Sequence, residues 1–135
     1  MRRSRSEVVP ESAYDYAEII RRGGANRTDE DFMLLKCLSC SVLYLYDAEV
    51  DTVYTDPDDL SQRQPAGANA SELLQCLACG RPIPGHSCDS HYRSLAELLG
   101  RARKRCPIFD VTWDEVARSR WSWTIQPTAW PARYR

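Results

Sequence analysis

The sequence predicts an α+β protein built around a small antiparallel sheet, and three observations carry that expectation. Three short strand-like runs follow one another closely: "DFMLLKC", "SVLYLYD" and "EVDTVYT". The spacing C-x2-C occurs twice, at Cys37/Cys40 and Cys76/Cys79, each beside a strand-like run. Stretches with helical spacing and capping signals lie before and after these runs.

The chain has 135 residues, 43% of them hydrophobic and 27% charged, which suits one globular domain with arms. Its net charge of −1 gives no bulk signal for nucleic acid, but the charge is unevenly placed. Residues 1–30 balance, residues 31–75 carry a net −6, and residues 76–135 carry a net +5. An acidic middle and a basic final third suit either charged partners on separate faces or pairing within the molecule. The start, "MRRSRSEVVPESAYDY", has basic residues but no apolar run after them, so no targeting signal is read. The longest apolar region, around 32–46, is broken by Lys36, Ser39 and Ser41 and is too short to cross a bilayer. A cytoplasmic location with reduced cysteines is the expectation.

Each element has a local reason. Residues 1–9 read as a polar arm. Pro10 to Gly24 reads as a helix, with Ser12 as its cap, Asp15 and Glu18 at the positive end, Arg21 and Arg22 at the negative end, and Gly23–Gly24 as the stop. In "SVLYLYD", Val42, Tyr44 and Tyr46 share one face and Leu43 and Leu45 the other, so this strand is expected to be covered on both sides. Asp56 to Asn69 has the Pro, Gly and Asp density of a surface loop. Ser94 to Arg105 reads as a helix with a Ser94/Glu97 capping box. "TWDEVARSRW" reads as another, capped by Thr112 and Glu115, with Trp113, Val116 and Ala117 on its buried side. The tail cannot be a regular helix past Pro127.

The two cysteine pairs carry the chemistry. A two-residue spacer lets both thiolates of one tight turn face a single ion, and two such turns complete a tetrahedron of Cys37, Cys40, Cys76 and Cys79 around Zn²⁺. Gly80 follows the second turn, while Ser41 stands at the matching place in the first. A thioredoxin-like redox pair needs only one C-x2-C, opening a helix, so the second pair argues against it. Four protein ligands leave no open position for water, which points to a structural ion.

The stretch "KCLSCSVLYLYDAEVD…DPDDL…LLQCLACGRPI" resembles a zinc ribbon of the rubredoxin-like type. Tyr44 to Asp47 is similar to the aromatic strand that follows the first knuckle in rubredoxins. The resemblance implies an antiparallel ribbon over 32–84, preceded by an arm and helix (1–31) and followed by a helical segment (85–120) and a Trp/Arg-rich tail (121–135). The absent glycine at 41, Leu77 in place of a proline, and the long middle segment depart from rubredoxins and count against iron. A closed metal site, no specific nucleophile–base pair and an aromatic tail too long for a simple ribbon point to a non-enzymatic accessory or interaction subunit of a larger assembly. An iron electron carrier and a nucleic-acid-binding ribbon are the alternatives.

Two further groups stay open. His86, Cys88, His91 and Cys106 read either as a second metal site or nucleophilic pair, or as loop and packing residues. The acidic run from Asp47 to Asp59 lacks the spacing of a calcium loop. Arg103, Lys104 and Arg105, with Trp121, Trp123 and Trp130, combine basic and aromatic residues. That mixture suits a protein partner, single-stranded nucleic acid, or packing of the tail onto the molecule's own sheet.

Overall fold

The computed structural model describes residues 8–23, 32–47, 52–65, 74–83 and 107–135. Strands β1 (Phe32–Lys36), β2 (Leu43–Asp47), β3 (Thr52–Tyr54) and β4 (Arg63–Pro65) form an antiparallel meander in that order. Strands β5 (Leu74–Gln75) and β6 (Pro82–Ile83) form a second, two-stranded sheet. The helices are α1 (Tyr16–Gly23) and α2 (Trp113–Ala117). The class is mixed α and β, with sheet dominant among the described residues.

All five residues of β2 are buried, as its two-faced pattern requires. Phe32, Leu34, Leu43, Leu45 and Tyr54 enter one apolar cluster, with Ile19 of α1 and Val116, Trp121 and Ile125 of the C-terminal segment. Leu35, Tyr44, Tyr46 and Val53 enter a second cluster, with Cys37, Cys76, Ile83 and Ile108. Successive side chains of a strand point to opposite faces, so one sheet divides the molecule into two cores.

Several expectations need correction. Helix α1 is capped by Asp15, whose Oδ1 accepts from the Glu18 N–H at 3.1 Å, and not by Ser12; residues Glu11–Ala13 form a separate 3-10 turn. The 56–69 loop contains β4, paired Thr52 to Pro65 and Tyr54 to Arg63, and Leu60 beside it is buried. A Pro on an edge strand is compatible with pairing on the other side only, which hides this strand in a turn-rich composition. The Thr112/Glu115 capping box is present, yet α2 stops at Ala117, and Ala117 is exposed. The Ser119 hydroxyl donates to the Val116 carbonyl at 2.8 Å and accepts from the Trp121 N–H at 3.0 Å, turning the chain out of the helix. The helix read over Ser94 to Arg105 lies outside the described residues.

The tail is a series of 3-10 turns, Ser122–Thr124, Pro127–Ala129 and Ala132–Tyr134, and it packs on the sheet. Trp121 is 3% exposed and its indole N–H donates to the Leu43 carbonyl at 3.0 Å. The segment before α1 is tied to the tail. Asp15 N–H donates to Thr124 O at 2.8 Å, and Gln126 N–H to Ala13 O at 2.9 Å. Among the described residues, no helix is long and apolar enough to cross a membrane.

Candidate metal centre

The two cysteine turns have one shape. In the first, Cys37 N–H donates to Val42 O at 2.9 Å and Ser41 N–H to Cys37 O at 2.7 Å. In the second, Cys76 N–H donates to Arg81 O at 2.9 Å and Gly80 N–H to Cys76 O at 2.8 Å. The sequence offsets match, and so does the backbone at the fifth position: φ is 71° at Ser41 and 78° at Gly80. That conformation suits glycine and strains a side chain with a Cβ, so the serine holds the same turn at a cost. Strands β1 and β2 present the first turn, and β5 and β6 the second.

The turns bring Cys37, Cys40, Cys76 and Cys79 together, with all four Sγ atoms within 4.8 Å of one another. Cys37 and Cys79 sulfurs are 3.6 Å apart, as are those of Cys40 and Cys76. A disulfide requires about 2.05 Å, and all four thiols are free. Bonds of about 2.3 Å to a tetrahedral ion place sulfurs about 3.8 Å apart, so the cluster has the dimensions of a four-thiolate metal site. Cys37 and Cys76 are buried while Cys40 and Cys79 are exposed.

Tyr44 connects the large sheet to the second turn. Its hydroxyl accepts from the Leu77 N–H at 2.9 Å and lies 3.1 Å from Cys76 Sγ. With its lone pair engaged by Leu77, the phenol has its proton left to donate to the sulfur, which as a thiolate only accepts. Burial pushes the Cys76 thiol up, but the Tyr44 hydroxyl and the N–H groups of Cys79 and Ala78 outweigh it and bring the pKa down to about 6. At Cys40 the Val42 backbone group lowers the pKa, but burial and the three other thiols push it up to about 12. An ion that takes all four sulfurs must displace protons, so its affinity rises with pH.

Beside the site, Lys36 Nζ sits 3.1 Å from Glu115 Oε2, and both side chains are less than one-fifth exposed. Glu115 also closes the α2 capping box through the Thr112 N–H at 2.8 Å. The partner of Tyr44 was not read from the sequence. The available signal was its place on the face of β2 that bears Val42 and Tyr46, where a phenol tip needs a polar partner.

Of the other candidate residues, Trp123 and Trp130 are partly exposed. His86, Cys88, His91, Arg103, Lys104, Arg105 and Cys106 lie outside the described residues. Comparison with protein-family models, curated proteins and solved structures finds no match to this chain.

Proposed function

We propose that the two cysteine turns form a zinc ribbon around one structural Zn²⁺, and that this rigid unit serves as a docking part of an accessory subunit in a larger assembly. The observation that carries this reading is what stands at the tips of the turns. Leu38 and Leu77 occupy the same position in "CLSC" and "CLAC", and they are 51% and 69% exposed. They are the large apolar side chains left exposed among the described residues. A closed four-thiolate site holds these tips rigidly, and rigid apolar tips suit contact with a protein surface.

Elemental analysis of protein purified without added metal tests the first half. One zinc per chain is the expected result; iron, with a red colour, supports the electron-carrier reading instead. The exposure of Cys40 and Cys79 is the observation that favours that second reading. Affinity purification followed by mass measurement tests the second half. A stoichiometric partner lost on the double change Leu38→Ser and Leu77→Ser is expected, whereas a monomer without partners would sink the idea.

A further inference from the structure

We propose that the cavity between α1 and the C-terminal turns binds an organic cation, an alkylammonium or guanidinium group, at the place where the Arg22 guanidinium now rests on Trp123. The cavity is an open cleft of about 720 Å³ and shares no residue with the cysteine cluster. That volume falls in the range of small-ligand sites, roughly 300–1,000 Å³.

Its lining defines the ligand class. Trp123, Trp130 and Tyr134 supply aromatic surface, and Asp15 and Glu18 supply carboxylates. The Trp130 and Tyr134 rings lie 5.5 Å apart between centroids, tilted 55° to each other. Aromatic faces attract cations through the ring quadrupole, and tryptophan does so best. Among the described residues, the protein already holds two cations in this way, and one of them, the Arg133 guanidinium, lies 4.9 Å from the Tyr134 ring centre. The Arg22 guanidinium lies 4.1 Å from the Trp123 ring centre, and its Nε donates to Glu18 Oε2 at 2.6 Å. An indole face plus a carboxylate is the arrangement a ligand cation needs, and Arg22 is its internal stand-in. Glu18 also binds Arg21, so it remains ordered and ionised when Arg22 moves aside.

Arg135 lines the same cavity but does not turn it into an anion site. Its Nε and Nη2 donate to the carbonyls of Trp130 and Thr128, at 2.8 and 3.0 Å. The Trp123 indole N–H is buried without an acceptor among the described residues, so the fold uses this ring for its face rather than for a hydrogen bond. None of this depends on which metal the cysteines hold.

The test uses the full metal-loaded chain and follows the Trp130 and Tyr134 NMR signals. Tetramethylammonium and methylguanidinium are titrated at constant ionic strength, with 3,3-dimethylbutan-1-ol as the neutral isostere. The expected result is weak binding of at least one cation, about tenfold tighter in Arg22→Ala because the internal competitor is gone. Whichever cation binds tighter identifies the ammonium or guanidinium source. Trp123→Phe keeps a ring and removes the unpaired N–H. It is expected to retain metal content and melting temperature while binding several-fold more weakly. The proposal fails if the neutral alcohol shifts the same signals as strongly, if Arg22→Ala binds neither cation or binds no tighter, or if Trp123→Phe leaves affinity unchanged.

Discussion

Two positions with the same backbone conformation carry different residues, and this gives a paired forecast. Ser41 and Gly80 both sit in the left-handed region, at φ 71° and 78°. A Cβ there costs roughly 1 kcal/mol, partly offset by the extra freedom that glycine loses on folding. Ser41→Gly is therefore expected to stabilise, and Gly80→Ala to destabilise, each by about 0.5 kcal/mol. No atom comes within 4 Å of a Cβ built at Gly80, so that loss is backbone strain and not collision. Denaturant melts of metal-loaded protein give both signs. Tyr44 makes a separate residue-scale prediction. Tyr44→Phe leaves the Leu77 N–H without its acceptor and removes the phenol donor from Cys76, which keeps the N–H groups of Cys79 and Ala78. Partners of this kind typically change metal affinity about 10- to 100-fold. Competition with a chromogenic chelator is expected to show a loss in that range, with little change in sheet content.

At the scale of the element, α1 shows how a helix this short is held. Asp15 caps its start, and Glu18 binds both Arg21 and Arg22 one turn on. The hydrogen bonds from Arg21 and then Arg22 hold the Glu18 carboxyl down at about 2, against an ordinary value of 4.5. A carboxyl depressed in the folded state contributes stability above its unfolded pKa and loses it as pH falls toward the folded value. The contribution of Glu18 is thus complete above about pH 5 and fades between 4.5 and about 2. Acid titration of the wild type against Glu18→Gln is expected to show a stability gap at pH 6 that closes by pH 2. The pair is solvent-exposed, so the gap also shrinks in high salt.

At the scale of the molecule, the sheet separates two cores that are expected to respond differently to removal of a bound metal. β5 and β6 pair over only two residues each, too little to persist alone, and they are tied to the large sheet by the cysteine turn, the buried Ile83 and the Tyr44 hydroxyl. β1 to β3 keep the apolar cluster built with α1, α2 and the tail. Chelation is expected to abolish hydrogen-exchange protection at Cys76 and Gly80 while Leu45 stays protected. Simultaneous loss at all three would mean that the metal holds both cores.

The same division explains what could be read in advance. The two-faced burial of β2, the capping box of α2 and the matching shape of the two cysteine turns rest on short-range periodicity and spacing, which a sequence displays directly. The Asp15 cap was missed because Ser12 offered an equally good local signal. Strand β4 was missed because an edge strand ending in Pro reads as loop. The Lys36–Glu115 pair and the Tyr44 bridge span 79 and 33 positions. Contacts at that distance follow from topology, which no local pattern specifies. At Trp121 the tail packs on the sheet, where the buried Leu43 carbonyl gives the indole an acceptor.

The unequal burial of the four cysteines gives the cluster a front and a back. Cys37 and Cys76 are walled in by the sheet, whereas Cys40 and Cys79 face solvent. Ligand exchange at a metal held here is therefore directional, with incoming chelators and alkylating reagents meeting Cys40 and Cys79 first. Brief iodoacetamide treatment of metal-loaded protein, in which all four ligating sulfurs are thiolates, followed by peptide mass spectrometry should mark those two sulfurs before the inner pair. The order in which the thiols are lost would then report how the ion leaves.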